Sequence, residues 1–168
     1  REAIFAAMKR REVYATTGPR ITLRFFAGWD FSEDHAQQPD IAQVGYRLGV
    51  PMGGDLAHSE ETKNKAPTFL LRATRDPDGA NLDRVQIIKG WRDESGQLQG
   101  KVYDVAWSPN GNSVNGKSGN RKLNSNAVLP SVGSTVNLGD ASYLNTIGSP
   151  ELSTTWTDPD FNEAERAV

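Results

Sequence analysis

The clearest candidate for ligand contact is a short turn near the N-terminus, where residues 15–20 read ATTGPR. The turn combines two hydroxyl groups, a glycine whose backbone can approach a ligand closely, and an arginine with a planar guanidinium. Thr16, Thr17 and Arg20 are therefore candidates for contacting an anion. Composition alone favours the alternative, an ordinary turn between strands in which the threonines bond to backbone groups and Arg20 lies in solvent.

Histidine is the side chain most suited to acid–base chemistry and metal binding near neutral pH. His35 and His58 each have carboxylates close in sequence, but no His-x-His or His-x-x-x-His spacing is present. A structural or solvent-exposed role is therefore favoured for both. Nucleophilic Ser, Thr and Lys residues stay open, although the chain has no G-x-S-x-G or S-x-x-K motif and no Walker or Rossmann fingerprint. We predict no catalytic residue and no metal site in this chain.

The acidic segment DPDGANLD carries Asp76, Asp78 and Asp83 and is a weak candidate for binding calcium. An EF-hand loop needs a glycine at its sixth position and a distal glutamate. Here the glycine comes fourth and predicted strands flank the segment, so a hairpin turn is favoured. The DPDF segment at 158–161 receives the same interpretation.

Charge and hydropathy exclude several classes of partner. The net charge is −2 without any basic run, so binding to nucleic acid is not expected. No stretch approaches the roughly 18 apolar residues of a membrane span and no apolar signal segment is found, which predicts a soluble protein without a membrane partner. The absence of cysteine fits oxidising and reducing compartments alike. We slightly prefer a periplasmic or secreted location over a cytoplasmic one.

The elements that must position these residues begin with a predicted helix at residues 2–11. Three large apolar residues recur in it at helical spacing, and basic residues gather in its last turn. The β-branched and aromatic residues 13–16 predict a short extended strand, after which Gly18 and Pro19 predict a turn. Residues 20–26 alternate between apolar and polar types and predict a half-buried strand.

Residues 30–66 show no comparable regularity. The stretch is polar, its one helical candidate is confined to residues 40–48, and the following sequence GVPMGGDL favours turns. Long irregular segments in compact domains are commonly functional or mobile. We therefore regard this stretch as a candidate lid over an active site.

Three strands are predicted in succession at 68–74, 83–91 and 99–107. Their connections have the length and the Asp and Gly content of hairpin turns, which predicts an antiparallel meander. Residues 109–126 are rich in Asn, Gly and Ser and predict a long exposed loop. Further short strands are predicted at 132–138, 141–147 and 151–156. The patterns together predict a mainly β (α+β) fold, built as an antiparallel β-sandwich-like domain.

The tryptophans offer an alternative function that needs no catalysis. Exposed indoles would make the domain a binding module for a ligand or a partner. Two of them end predicted strands in phase with apolar neighbours and are expected in the core. The four tryptophans are Trp29, Trp91, Trp107 and Trp156.

Several longer strings carry a resemblance to a known family. They are REAIFAAMKRREVYATTGPRITLRFFAGWDF, GYRLGVPMGGDL, APTFLLRATRDPDGANLDRVQIIKGW, KVYDVAWS and YLNTIGSPELSTTWTDPDF. Through them the sequence resembles the C-terminal part of the bacterial domain-of-unknown-function family 3604. Full-length members of that family resemble metallohydrolases of the PHP (polymerase and histidinol phosphatase) type. The resemblance spans nearly the whole chain and is interrupted mainly at 109–130.

The resemblance implies a division of the chain into two parts. Residues 1–19 look like the closing helix and short strand of an upstream PHP-like catalytic barrel. Residues 20–168 look like a β-rich C-terminal domain with long loops at 30–66 and 109–130. Arg1 is not a methionine and the helical pattern is already under way at the second residue, so we expect the chain to be part of a longer protein.

The resemblance also implies where the chemistry lies. The His- and Asp-rich metal motifs of the family are upstream, so zinc or manganese is expected in the full-length parent and no cofactor in this chain. Thr16, Thr17 and Arg20 would then lie close to the mouth of the barrel. Family members continue beyond Val168 with a further aromatic-rich strand, so an open sheet edge and self-association through it are also expected.

The first functional hypothesis is therefore the C-terminal part of a PHP-like, metal-dependent hydrolase acting on phosphoester-type substrates. By itself this part should be inactive and should support or cover the active site of the upstream catalytic domain, its expected partner. The alternative hypothesis is a non-catalytic β-sandwich that binds a ligand or a partner.

Overall fold

A computed structural model describes residues 1–109, 121–125, 128–165 and 167–168 of the chain. These residues form antiparallel sheets with a few short helices, which confirms the predicted mainly β, sandwich-like fold class. The α-helices are α1 (Glu2–Lys9), α2 (Glu33–Ala36) and α3 (Ile41–Leu48). The strands are β1 (Thr22–Gly28), β2 (Gly49–Pro51), β3 (Thr68–Thr74), β4 (Arg84–Arg92), β5 (Leu98–Trp107) and β6 (Glu151–Thr157). None of the helices in the described ranges has the length and apolar character that crossing a membrane requires.

The larger sheet has four strands in the order β2-β1-β3-β6, and every neighbouring pair is antiparallel. β3 pairs along its whole length with β1 on one side and β6 on the other. β4 and β5 form a separate two-stranded sheet. The predicted hairpin of β4 and β5 is therefore confirmed. The predicted pairing of β3 with β4 is wrong, because β1 and β6 already occupy both edges of β3.

The four-stranded sheet is covered on both faces. On one face, α2 and α3 bury a core that contains Phe26 and Leu70. On the other face, the β4–β5 sheet packs over a second core that contains Ala73 and Leu152. Leu70 and Leu71 are adjacent in β3, point to opposite faces and are both fully buried. This central strand therefore has the continuous apolar character of a strand buried on two sides.

The stretch 30–66 contains more regular structure than its sequence indicates. α3 confirms the one helix predicted there, and Asp40 caps it by accepting a hydrogen bond from the Gln43 backbone N–H at 3.0 Å. Gly45 allows the close contact between α3 and the sheet, because a Cβ at this position would lie 2.4 Å from the Phe26 ring. The part of this stretch that contains α2 and α3 therefore contributes to the core.

The short strand predicted at 13–16 is not formed. These residues follow α1 as irregular backbone, and they pair with no strand in the part of the chain that the structure describes. β-branched and aromatic residues favour a strand mainly through packing against neighbouring strands, which these residues lack. The strand predicted at 151–156 is confirmed as β6. The loop predicted at 109–126 lies largely outside the described residues.

The strands predicted at 132–138 and 141–147 are not formed, and irregular backbone with short turns takes their place. The side chain of Asn137 accepts a hydrogen bond from the backbone N–H two residues further on, and the side chain of Asp140 does the same. Short polar side chains of this kind satisfy the backbone locally and so compete with a strand ladder. The apolar alternation in these stretches was therefore a weaker signal than their Asn, Asp and Gly content.

Candidate functional site

Thr16, Thr17 and Arg20 lie on an exposed turn directly before β1. The Arg20 backbone N–H donates a hydrogen bond to Asp76 Oδ2 at 2.7 Å, which ties this turn to the one that follows β3. The side chains of the three candidates make no hydrogen bond or ion pair with any described residue. Their hydroxyls and guanidinium are therefore available to a ligand or to another protein surface.

The acidic residues considered for calcium have separate structural roles. Asp76 accepts hydrogen bonds from the backbone N–H groups of Arg20 and Asp78, and these bonds hold the pKa of its carboxyl below the usual value. Asp83 instead forms an ion pair with Arg121 at 2.5 Å. Within the described ranges, no three His, Asp or Glu side chains come together as a metal site would require.

The helix α1 exposes its large apolar side chains. Ile4, Phe5 and Met8 are 67%, 69% and 61% exposed, and α1 contains no buried residue. We call these three side chains the α1 face. An exposed group of large apolar side chains on an amphipathic helix is typical of a surface that another surface covers.

Specific contacts hold the end of α1 against the rest of the chain. Arg11 donates hydrogen bonds to both carboxylate oxygens of Asp55 at 3.2 Å. Gly53 approaches Arg11 so closely that a Cβ at this position would lie 2.3 Å from the Arg11 carbonyl oxygen. The Tyr46 hydroxyl donates to the Glu12 carboxylate, and this bond lowers the pKa of Glu12 and raises the pKa of Tyr46. A cleft of about 250 Å³, the N-terminal cleft, remains between α1 and β1.

A second cleft, of about 510 Å³, is lined by residues such as Asn64 and Phe161. Phe161 belongs to a cluster of three rings that includes Trp29, the residue directly after β1. Trp29 lies edge-to-face with His58 and with Phe161, at centroid distances of 5.4 and 6.1 Å. The His58 and Phe161 rings are roughly parallel, with centroids 6.3 Å apart. We call this cleft, together with its rings, the aromatic cleft.

Carboxylates at the aromatic cleft have partners within the protein. Glu163 Oε1 accepts a hydrogen bond from the Asn64 backbone N–H at 2.7 Å and lies 3.5 Å from His58 Nε2. Asp158 also lines the cleft and is buried, and it forms a 2.7 Å ion pair with the buried Lys89. The cleft is therefore polar, yet the charge of its most buried carboxylate, Asp158, is balanced by Lys89.

A network of polar groups fixes the segment that carries Phe161. Lys89 donates a second hydrogen bond to the Asp160 carbonyl oxygen at 2.8 Å. The Asp160 carboxylate accepts hydrogen bonds from Lys101 and, at 2.6 Å, from the Tyr103 hydroxyl, and these bonds lower the pKa of Asp160. Burial and, next, the bond to Asp160 raise the pKa of Tyr103, so its hydroxyl stays protonated as a donor.

Sequence reasoning missed both this network and the aromatic cleft. The available signal was Lys89, which stands between Ile87 and Trp91 in the alternating pattern of β4. A lysine buried at such a position requires a carboxylate partner, and the DPDF segment supplies Asp158. The clustering of Trp29 with residues far along the chain had no comparable signal, because it depends on how β1 and β6 are placed in the sheet.

The other tryptophans take part in packing. Trp156 lies 4.8 Å from Tyr103 between ring centroids, in the contact between the two sheets. Trp107 donates from Nε1 to the Arg121 carbonyl oxygen at 3.2 Å, and the Lys89 ammonium lies 5.6 Å from the Trp91 ring centre. All of them are half-buried. The aromatic cleft therefore makes Trp29 the tryptophan best placed to report on a ligand.

Comparison with known proteins identifies a family without assigning an activity. The family model described as "Protein of unknown function (DUF3604)" matches residues 1–168. No curated protein and no solved structure matches the chain. Any functional conclusion therefore rests on the geometry of the α1 face, the turn before β1 and the aromatic cleft.

Proposed function

The chain belongs to the protein family of unknown function DUF3604, and from this premise we propose that it is the C-terminal, non-catalytic part of a PHP-like metal-dependent hydrolase. In this proposal the substrates are phosphoesters. The zinc or manganese ligands belong to an upstream catalytic domain of the same protein, as the resemblance to PHP-type metallohydrolases implies. Residues 1–19 connect the chain to that domain, and residues 20–168 form the β-rich C-terminal domain.

The observation that carries this proposal is the α1 face. Ile4, Phe5 and Met8 are each more than 60% exposed, although α1 is amphipathic. Covering side chains of this size contributes about 1.5–3 kcal/mol for each one that becomes fully buried. An upstream domain packed on the α1 face would therefore gain enough free energy to hold the two domains together.

The turn before β1 lies at the same junction. Because Thr16, Thr17 and Arg20 have no side-chain partner among the described residues, they are free to contact an anionic substrate held by the upstream domain. Residues 52–66 are mostly exposed and are tied to the end of α1 through Asp55. We assign this segment the role of covering the active site.

Activity measurements on two proteins test the division of labour. One is the full-length protein and the other is residues 1–168 alone, each assayed on a generic phosphodiester with manganese or zinc. We expect metal-dependent hydrolysis by the full-length protein and none by residues 1–168. Hydrolysis by residues 1–168 alone, or none by the full-length protein, would contradict the proposal.

A substitution on the α1 face tests the docking directly. In the full-length protein, Phe5→Ser should weaken the contact between the domains by about 1.5–3 kcal/mol, because the phenyl ring would no longer be buried. Ile88→Ser is the matched control, since Ile88 on β4 is 71% exposed and lies outside the junction. Hydrogen exchange of α1 should increase about tenfold or more in Phe5→Ser only. Equal exchange in the two variants would exclude docking through this face.

A second candidate function, a non-catalytic binding module, is favoured by the aromatic cleft. Its lining contains Phe161, which lies edge-to-face with Trp29. The indole N–H of Trp29 is fixed by donating to the Ala57 carbonyl oxygen at 3.2 Å. Iodide quenching of the wild type against Trp29→Phe measures how accessible this indole is. If Trp29 is quenched no more than a buried indole, the aromatic cleft is closed and this candidate fails.

Two further statements belong to the proposal. Self-association through an open sheet edge predicts that the apparent mass in gel filtration rises with protein concentration. A periplasmic or secreted location predicts that the full-length protein is found outside the cytoplasmic fraction. A concentration-independent monomer would contradict the first statement, and a cytoplasmic protein would contradict the second.

A further inference from the structure

The aromatic cleft combines a ring with hydrogen-bonding side chains in one short segment. Phe161 is followed by Asn162 and Glu163, and all three line the cleft. Asn64 lines it from the segment before β3, where its backbone N–H holds Glu163. A volume of about 510 Å³ lies within the range of small-molecule sites.

The charges at the cleft do not favour an ionic ligand. Asp158 is neutralised by the buried Lys89, and breaking that pair to bind a cation would leave a buried charge without a partner. Glu163 is the other carboxylate in the lining, and its side chain is 42% exposed. A single exposed carboxylate attracts a cation only weakly, because water screens it.

The polar groups that remain available are of mixed type. Glu163 Oε2, the Asn64 side-chain amide and Asn162 Nδ2 make no hydrogen bond with any described residue. They offer both acceptors and donors. A hydroxyl group can donate and accept at the same time, so a ligand with several hydroxyls matches this set, whereas an ion of one sign matches only half of it.

We propose that the aromatic cleft binds a neutral carbohydrate, a mono- or disaccharide. The apolar C–H face of a sugar ring packs on Phe161, and the sugar hydroxyls bond to Asn64, Asn162 and Glu163. Trp29 and His58 are positioning residues that hold the Phe161 ring in place. The inference rests on the second candidate function, because it names the ligand class of the binding module. It is independent of docking through the α1 face.

Binding is tested on the full-length protein with neutral sugars as probes: glucose, galactose, N-acetylglucosamine, maltose and cellobiose. Choline chloride and inorganic phosphate serve as charged comparisons of either sign. Calorimetry measures the affinity, and the emission of Trp29, taken as wild type minus Trp29→Phe, reports the place of binding. We expect at least one of the sugars to bind with a millimolar Kd and to change the emission of Trp29, and neither ion to do so.

Two substitutions separate the ring from the polar groups. Phe161→Leu keeps apolar bulk but removes the ring, and Glu163→Gln keeps the shape but removes the charge-assisted hydrogen bond. Each should weaken sugar binding about tenfold. Glu94→Gln, in the exposed turn between β4 and β5, is the control and should change Kd by less than a factor of about two. Thermal unfolding of each variant shows whether it is folded, and Glu163→Gln alone decides if Phe161→Leu does not fold.

The possible outcomes distinguish failure of the carbohydrate proposal from failure of the binding-module function on which it rests. Sugar binding that is equally strong in wild type, Phe161→Leu and Glu163→Gln overturns the proposed site. Binding of choline or phosphate without any sugar overturns the carbohydrate class but keeps the binding module. An accessible Trp29 with no binding of any probe overturns the carbohydrate proposal, whereas a Trp29 closed to iodide removes the binding module as well.

Discussion

The α1 face and the aromatic cleft leave apolar groups in contact with water in two different ways. The α1 face exposes Ile4, Phe5 and Met8 on a helix without a buried residue. The aromatic cleft surrounds Phe161 with amide and carboxylate groups. A group of large apolar side chains exposed on one helix suits a lasting contact with another protein surface, whereas a concave site with a few polar groups suits a small ligand. Exposed apolar groups in this chain therefore indicate a protein contact in one region and a small-ligand site in the other.

The ion pairs that hold the two regions in place differ in burial. The segment at the aromatic cleft is held by the buried Lys89–Asp158 ion pair. The end of α1 is held by the Arg11–Asp55 pair, whose side chains are 65% and 88% exposed. Removing one partner of a buried pair is strongly destabilising, whereas an exposed pair contributes little. The comparison therefore predicts that mutations at the Lys89–Asp158 pair lower the free energy of unfolding more than mutations at the Arg11–Asp55 pair.

Lys89→Met should have the largest effect, because it leaves the buried Asp158 carboxylate without its cationic partner. We expect a loss of about 3–5 kcal/mol in the free energy of unfolding, measured by urea denaturation. Lys101→Met is the matched control, since Lys101 is 51% exposed and should cost less than about 1 kcal/mol. The double variant Lys89→Met/Asp158→Leu should recover most of the loss. Similar losses for Lys89 and Lys101 would remove the contrast between the two regions.

Gly53→Ala should have the next largest effect and concerns the α1 side. Gly53 has a φ of +80°, and a Cβ there would lie 2.3 Å from the Arg11 carbonyl oxygen. Gly18→Ala is the matched control, because Gly18 has a φ of +88° and nothing within 4 Å of the added Cβ. Both variants carry the left-handed penalty of about 1–2 kcal/mol, and Gly53→Ala adds a steric cost of about 1–3 kcal/mol.

Hydrogen exchange locates the effect of these two glycine variants. Exchange should rise in α1 for Gly53→Ala and stay unchanged there for Gly18→Ala, since only Gly53 contacts the end of α1. If both variants unfold with the same free energy, the approach of Gly53 to Arg11 is not a support of α1. The support of α1 would then come from other contacts, such as the Tyr46–Glu12 bond and the exposed Arg11–Asp55 pair.

The strands were predictable from sequence where alternation and turn residues agree. β3 was predicted with its observed bounds, and the β4–β5 hairpin follows from its Asp- and Gly-bearing connection. Strand order was not predictable, because the insertion of β3 between β1 and β6 depends on contacts that are distant in sequence. Residues 132–147 mimic alternation but form local turns through Asn137 and Asp140.

The candidate sites were predictable to different degrees for the same reason. Thr16, Thr17 and Arg20 lie within five consecutive residues, so their common exposed turn could be predicted from one short string. The aromatic cleft joins Trp29, His58 and Phe161 from three separate segments. No local sequence pattern predicts the contact between these rings, because β1 and β6 bring Trp29 and Phe161 together from positions far apart in the chain.

Acid should lower the stability of the protein by protonating Asp160, which holds the segment at the aromatic cleft. Its pKa is lower in the folded protein than the ordinary value of 3.8, because Lys101 and Tyr103 bond to the ionised carboxylate. The contribution of this group is therefore complete above 3.8 and is lost as the pH falls through the folded pKa. Wild type should lose thermal stability more steeply than Asp160→Asn between about pH 5 and pH 2. Parallel curves for the two proteins would show that Asp160 does not stabilise this segment.

Arg11→Gln should have the smallest effect and gives the sharpest test of what holds α1. The Arg11–Asp55 pair is exposed, so its loss should cost between zero and about 1 kcal/mol, and the cost should shrink as salt is raised. Lys65→Gln is the matched control, because it breaks another exposed ion pair, with Asp30 at 2.8 Å, away from α1. Urea denaturation at low and high salt measures both. A loss above about 2 kcal/mol for Arg11→Gln alone would mean that this pair fixes the end of α1 more strongly than an exposed ion pair should, and the contrast with the buried Lys89–Asp158 pair would fail.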